Sequence, residues 1–143
     1  MPLTADRKLE IRIALEDLNA AFSHHLDHGE IEALCDLFTV DALYTNGARR
    51  SEGRAEIERL FRNRVAKGPR TSRHLYSGLR FEIESDTSAT GYSVCQSFAA
   101  DGLPPLPAKP FLVADFVDRY RFEENRWRFA ERHIKPVFLN AEN

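Results

Sequence analysis

Hydrophobic residues recur every three or four positions near the start of the chain and at alternate positions through most of its second half. The first pattern predicts an amphipathic helix whose buried stripe is Ile11, Leu15, Leu18, Phe22 and Leu26. Thr4 or Asp6 suits its N-cap, and Gly29 suits the position just beyond its end. A second stripe, Ile31, Leu34, Cys35 and Phe38, predicts a short helix after this break.

The next stretch mixes a strand, a turn and a third helix. Residues 39–42 end the second helix, and residues 43–47 have an extended pattern that predicts a strand. Residues 46–51 are then expected to form a turn. Ser51 or Gly53 begins a third helix, which ends at the sequence Lys-Gly-Pro of residues 67–69.

Alternating patterns predict four strands after this helix, in residues 72–84, 89–98, 111–122 and 127–138. The segment 100–110 contains four prolines and is expected to be a loop, because proline cannot donate to a sheet interior. Helices followed by an antiparallel meander favour an α+β fold, with about three N-terminal helices packed on a curved, mostly antiparallel sheet. Residues 1–143 are expected to form a single domain whose curved sheet leaves one open mouth for a ligand.

Composition excludes several classes of partner. The chain has 143 residues, 43% hydrophobic and 29% charged, with a net charge of −2 and no basic block, so we expect no nucleic-acid partner. No apolar run approaches the length of a membrane span and the N-terminus lacks a secretory signal, which predicts a cytoplasmic protein with no membrane partner. Cys35 and Cys95 are expected to be buried free thiols.

Several segments together resemble the SnoaL-like group of the nuclear transport factor 2-like superfamily. They are Leu-Asp-His-Gly-Glu at 26–30, Leu-Phe-Thr-Val-Asp-Ala-Leu-Tyr at 37–44, Gly-Arg-Ala-Glu-Ile at 53–57, Arg-His at 73–74 with Ser-Gly at 77–78, and Trp-Arg-Phe at 127–129. The resemblance implies a cone-shaped α+β barrel around a hydrophobic pocket. It also implies a homodimer or homotrimer, for which Val117, Phe129, Val137 and Phe138 are the expected outer apolar surface.

The resemblance places an Asp–His dyad at Asp27 and His74, as in scytalone dehydratase and hexachlorocyclohexane dehydrochlorinase. In such a dyad the carboxylate fixes the imidazole tautomer, and the other ring nitrogen is left to take a proton. Strict alternation puts His74 on the face of Arg80, away from the apolar residues of the same strand. His74 and these apolar residues therefore face the same interior only if the alternation changes phase between them. Gly78 is a suitable site for a bulge that makes this change.

Five polar residues are candidates for substrate binding. Tyr44 and Asn46 lie two apart on a strand and so share a face, although a core tyrosine and a turn asparagine are the alternative readings. Ser93 stands where the resemblance places a second histidine of scytalone dehydratase. Asp115 interrupts an apolar run and is expected to pair with Arg132 or to polarise a substrate.

Metal and cofactor chemistry are not expected. His24 and His28 are one helical turn apart, a spacing that can chelate a metal, but the hydrolytic pattern with an intervening Glu is missing. The sequence has no Gly-rich phosphate loop and no dinucleotide-binding fingerprint.

Two functions from different classes follow. The first is a cofactor-independent lyase or isomerase that acts on a small hydrophobic or aromatic ligand, such as a polyketide-like or terpenoid-like ring, with His74 as general base and Asp27 as its partner. The second is a non-catalytic ligand-binding or accessory subunit resembling the β subunit of aromatic-ring dioxygenases. The two are distinguished by whether Asp27 and His74 face one interior.

Overall fold

The computed structural model describes residues 2–140, which form three helices and six strands. The helices are α1 (Ala5–Asp27), α2 (Ile31–Cys35) and α3 (Arg54–Ala66). The strands are β1 (Phe38–Asn46), β2 (Arg49–Glu52), β3 (Arg70–Ile83), β4 (Ser88–Asp101), β5 (Leu112–Glu123) and β6 (Arg126–Leu139).

The strands make one mixed sheet in the order β2-β1-β6-β5-β4-β3. β1 runs parallel to β6, and all other neighbours are antiparallel. The sheet does not close into a barrel, because β2 and β3 are its two edges. Helices on an incomplete, mostly antiparallel sheet confirm the predicted α+β class and its cone shape.

Helix α1 forms as its sequence predicts. The Thr4 hydroxyl oxygen accepts a hydrogen bond from the Arg7 backbone N–H at 3.1 Å, which caps the first turn. The apolar stripe is buried from Ile11 to Phe22, and Leu26 at its end is partly buried. The helix ends before Gly29, whose φ of +68° reverses the chain at little steric cost because glycine has no Cβ.

The sequence pattern missed β2 and misplaced the start of β1. β1 already begins at Phe38, because Phe38 pairs with Phe129 of β6 and the Phe129 N–H donates to the Leu37 carbonyl. The predicted turn ends in β2, which folds back on β1 and buries Ser51. Both differences arise from pairing between segments, which overrides a weak local preference.

A bulge at Gly78 switches the phase of β3, as predicted. The register with β4 shifts there and Gly78 has a φ of +66°. Before the bulge His74 and Tyr76 are the half-buried positions, and after it Phe81 and Ile83 are. One strand therefore presents both a polar and an apolar segment to the interior.

The core lies between α1 and the inner face of the sheet. Phe22 of α1 contacts four sheet rings, those of Phe38, Tyr44, Phe116 and Phe129, at centroid distances of 5.8–6.5 Å. Phe129, expected on an outer surface, is thus buried. Cys35 and Cys95 are buried free thiols, as predicted. None of the helices within residues 2–140 combines the length and apolarity needed to cross a membrane.

Candidate active site

Asp27 and His74 face each other across the end of α1 and the first half of β3. The Asp27 Oδ1 atom lies 2.5 Å from the His74 Nδ1 atom. Asp27 Oδ1 also accepts from the Ser72 hydroxyl at 2.9 Å, and its Oδ2 accepts from the His74 backbone N–H at 2.9 Å. The side chains are only 5% (Asp27) and 14% (His74) exposed, so the pair is held tightly and away from bulk water.

The charge of this pair follows from its contacts. Burial raises the pKa of Asp27, but the hydrogen bond and charge of His74, with the hydroxyl of Ser72, outweigh it and hold the pKa below its ordinary value near 3.8. Asp27 is therefore ionised at neutral pH and can only accept, so the proton between the two side chains sits on His74 Nδ1. The Nε2 atom of His74 makes no hydrogen bond to any residue from 2 to 140, and in the neutral imidazole with its proton on Nδ1 this atom carries the free lone pair.

A second carboxylate–base pair lies deeper in the interior. Asp118 of β5 and Arg132 of β6 form a bidentate ion pair, with Nε–Oδ1 and Nη2–Oδ2 distances of 2.9 Å. Arg132 Nη2 also donates to Asn19 Oδ1, and the Tyr120 hydroxyl donates to Asp118 Oδ2 at 2.8 Å. The side chains of Arg132 and Asp118 are 1% and 0% exposed, so both charges are fully desolvated.

Aromatic rings enclose the Arg132 guanidinium. Its central carbon lies 4.4 Å from the ring centroids of Phe22 and Phe116 and 4.2 Å from that of Phe129. Burial lowers the pKa of Arg132, but the charge and hydrogen bonds of Asp118 raise it by more. The pKa of Arg132 therefore lies above its ordinary value. Arg132 is therefore a permanent cation inside an apolar cage.

The pairing predicted for Asp115 is wrong. Asp115 lies on the outer face of β5, where it accepts a hydrogen bond from the Tyr92 hydroxyl at 2.8 Å. The strand register places Asp118 opposite Arg132 and Asp115 opposite Lys135. The sequence contains the information needed for this assignment. Asp118 is two residues from the buried Phe116 and so lies on the same face of β5, whereas Asp115 is one residue away and lies on the other face.

Sequence reasoning also missed Asn19 and Tyr120. Asn19 accepts a hydrogen bond from Arg132, and Tyr120 donates one to Asp118. The Asn19 amide donates to the Tyr120 hydroxyl at 3.1 Å and to the Leu15 carbonyl at 2.9 Å. A polar residue inside the apolar stripe of α1 was the signal for Asn19, because a buried amide needs a partner.

The other predicted substrate contacts differ in their surroundings. Tyr44 is buried among the rings of Phe22, Phe38 and Phe61, and burial raises its pKa. Asn46 is half-buried at the end of β1, opposite Ile134 of β6. The side chain of Ser93 is buried with no hydrogen-bond partner for its hydroxyl among residues 2–140.

The inner face of β4 joins the two pairs. This face carries only small side chains, those of Gly91, Ser93, Cys95 and Ser97. Burial raises the pKa of the Cys95 thiol, the Ser97 hydroxyl and Arg132 lower it, and Asp27 raises it. In the strand register Ser97 lies opposite His74 and Gly91 lies opposite Asp118, so the two pairs lie on the same inner face of the sheet, at opposite ends of this row of small residues. A separate surface groove of about 1090 Å³, walled by α2, α3 and β1, does not contain the dyad.

Solved structures with the same fold cover nearly the whole chain. A scytalone dehydratase candidate from Novosphingobium aromaticivorans superposes with a TM-score of 0.87 at 20% identity, over 98% of this chain and 93% of that one. Hexachlorocyclohexane dehydrochlorinase LinA type 2 gives 0.77 at 18% identity, over 96% and 92%. ActVI-ORFA from Streptomyces coelicolor gives 0.76 at 17% identity, over 88% and 97%.

Sequence comparison adds the family. No curated protein sequence matches the chain. The profile of the SnoaL-like domain matches residues 7–133, a range that contains the dyad, the deep pair and all six strands up to residue 133 of the last. This chain shares its nuclear transport factor 2-like fold with the similar solved structures. On this match the chain belongs to the SnoaL-like family.

Proposed function

We propose that the protein is a cofactor-independent lyase or isomerase for a small hydrophobic or aromatic ligand, with His74 as general base and Asp27 as its orienting partner. The observation that carries the proposal is the Asp27 Oδ1–His74 Nδ1 contact of 2.5 Å. It leaves His74 Nε2 without a partner among residues 2–140, next to an interior that contains a buried cation. These are the parts that proton abstraction from carbon requires.

The reaction begins when His74 Nε2 takes a proton from a carbon of the ligand, and the C–H electron pair moves into the ligand. In an elimination this pair forms a double bond and expels the leaving group. A hydroxyl group takes the proton from His74 as it leaves as water, whereas a halide leaves as an anion and His74 releases its proton to solvent. In an isomerisation the protonated His74 returns the proton to a different carbon. Asp27 stabilises the imidazolium formed in between and is not itself protonated.

Interior polar groups suit a ligand that carries an oxygen. The Ser93 hydroxyl has no hydrogen-bond partner among residues 2–140, so it can donate to a ligand carbonyl or enolate at no cost to the fold. Arg132 supplies a fixed positive charge that favours negative charge developing on the ligand. The names of two solved neighbours, a dehydrochlorinase and a scytalone dehydratase candidate, denote eliminations, the class of reaction that this dyad suits.

The test is a substrate screen with paired variants. Purified protein is incubated in D₂O with cyclic β-hydroxyketones, β,γ-unsaturated ketones and halogenated rings, and product formation and deuterium uptake are followed by NMR. His74→Gln and Asp27→Asn should each lower kcat about 10²–10⁴-fold. His133→Gln is the matched control, because His133 lies on the same sheet and contacts Thr45 and Glu131 instead of Asp27. Equal activity of His74→Gln and the wild type overturns the proposal.

An apolar row on the outer face of the sheet favours self-association, which is expected for the enzyme and for the accessory subunit alike. A row of paired positions crosses four strands, Leu75, Gln96, Val113 and Phe138. Leu75 and Phe138 are exposed, and such apolar patches are typical of interfaces. We propose that this face forms a homodimer or homotrimer. Light scattering should show an oligomer that Phe138→Asp disrupts; a monomeric wild type contradicts this.

A further inference from the structure

A cluster of metal-binding side chains lies outside the dyad, where α1 turns into α2. Glu30 Oε1 is 3.0 Å from His25 Nδ1 and 3.5 Å from His24 Nε2. One ligand atom from each of the three residues lies within 4.8 Å of the other two. No function described above uses these groups, and neither Asp27 nor His74 contributes an atom to the cluster.

The backbone holds the cluster together. Gly29, with a φ of +68°, folds the chain back over the last turn of α1. The Glu30 N–H then donates to the His25 carbonyl at 2.9 Å, which fixes the position of the Glu30 backbone. Only side-chain rotations remain to be adjusted, so a ligand that bridges the three groups needs little rearrangement of the chain.

We propose that His24, His25 and Glu30 form a binding site for a late first-row divalent cation, with Zn²⁺ as the ion that fits the donor set best. Two imidazole nitrogens and one carboxylate oxygen are a common zinc ligand set, and water completes the coordination. In a tetrahedral zinc site with metal–ligand distances of about 2.0–2.2 Å the donor atoms lie about 3.3–3.6 Å apart. Two of the three separations, 3.0 and 3.5 Å at Glu30, are close to that geometry. The third, between the ligand atoms of His24 and His25, is at most 4.8 Å, so rotation of the imidazole rings completes the site.

His28 is not part of this site, although its spacing from His24 first suggested a chelate. Its Nδ1 contacts the His24 carbonyl oxygen at 2.7 Å, and its ring stacks on that of His24 with a centroid distance of 4.3 Å. The stack orients the His24 ring, so His28 acts on the site through packing. The true partners, His25 and Glu30, come together only because the chain reverses at Gly29.

The test is a calorimetric titration of Zn²⁺ into untagged protein that has been stripped with EDTA and dialysed. One equivalent is expected to bind with micromolar affinity. His24→Ala, His25→Ala and Glu30→Gln should each weaken binding at least tenfold, whereas His133→Gln, which removes a histidine elsewhere on the surface of the fold, should not change it. Equal Zn²⁺ binding by the wild type and Glu30→Gln overturns the proposal, as does millimolar binding by the wild type.

A second measurement reports the ligands directly. Co²⁺ in place of Zn²⁺ should give the intense visible bands of a four- or five-coordinate ion, and Glu30→Gln should abolish them. A spectrum equal to that of aqueous Co²⁺ contradicts the site. Circular dichroism of each variant checks the fold, which should be intact because His24 and Glu30 are exposed. Because the dyad contributes no ligand, failure here leaves the proposed catalytic function standing, and failure of that function leaves the metal site standing.

Discussion

Two buried pairs of a carboxylate and a basic side chain, Asp27–His74 and Asp118–Arg132, share one interior. They differ in what the basic side chain can do. The base of the first is an imidazole with one nitrogen bound to Asp27 and the other without a partner among residues 2–140. The base of the second is a guanidinium that donates through Nε and Nη2 to Asp118 and through Nη2 to Asn19.

This difference separates proton transfer from fixed charge. An imidazole gains and loses a proton near neutral pH, whereas a guanidinium remains protonated in proteins. The first pair can therefore exchange a proton with a ligand, and the second can only hold a positive charge in place. Burial affects both pairs: it shields the imidazole from bulk water and strengthens the field of the cation.

The largest expected effect is on stability, from breaking the deep pair. Asp118→Asn leaves the buried Arg132 cation without its counter-charge and should lower the free energy of unfolding by about 3–5 kcal/mol. The control is Asp41→Asn, because Asp41 makes its ion pair with Arg121 on the exposed surface and should change stability by about 0–1 kcal/mol. Urea denaturation measures both. A similar cost for the two variants contradicts the assignment of Asp118 as a structural charge.

Breaking the dyad should cost less stability and make that cost depend on pH. Asp27→Asn weakens three hydrogen bonds to a charged acceptor and should cost about 1.5–3 kcal/mol at pH 7. Because the folded pKa of Asp27 is lowered from about 3.8, the stabilisation is complete above that value and is lost as the pH falls through the folded pKa. Urea denaturation in EDTA from pH 7 to acid should show the two proteins converging. A difference that does not depend on pH contradicts an ionised Asp27.

Local chemistry predicted much of the fold. The stripe of α1, the cap at Thr4, the break at Gly29 and the bulge at Gly78 follow from backbone preferences of single residues, and the structure confirms each of them. The strand β2 and the parallel pairing of Phe38 with Phe129 did not follow. They depend on contacts between distant segments, which a single sequence does not encode locally.

The site divides in the same way. Asp27 and His74 were chosen by resemblance, and the predicted bulge at Gly78 made their meeting possible. The sequence singles out Asp115 because it interrupts an apolar run, but the register of β5 on β6 brings Asp118, and not Asp115, to Arg132. A shift of a single residue moves a side chain to the other face of a sheet. The apolar run around Asp115 therefore does not show which carboxylate faces Arg132; the alternation of faces along β5 is also needed.

A smaller effect should reach the deep pair through Tyr120. A Cβ added at Gly91 would lie 2.6 Å from the Tyr120 Cε2 atom and 2.8 Å from its hydroxyl oxygen. Gly91→Ala should therefore displace the ring that donates to Asp118 and cost about 1–3 kcal/mol. In a double-mutant cycle the cost should shrink when Tyr120 is also changed to Leu, because the smaller side chain leaves room. Costs that simply add contradict this steric explanation.

The smallest expected effect has the opposite sign and comes from Ser93, on the strand between the two pairs. Its hydroxyl is fully buried with no hydrogen-bond partner among residues 2–140, so Ser93→Ala removes an unsatisfied group and should raise the free energy of unfolding by about 1 kcal/mol. Ser97→Ala is the control, because Ser97 is buried on the same face but has Cys95 as a partner, and it should not stabilise. If Ser93 serves the ligand, Ser93→Ala should also raise KM for any substrate found. A variant that is both less stable and fully active removes Ser93 from the site, because the hydroxyl would then serve the fold and not the ligand.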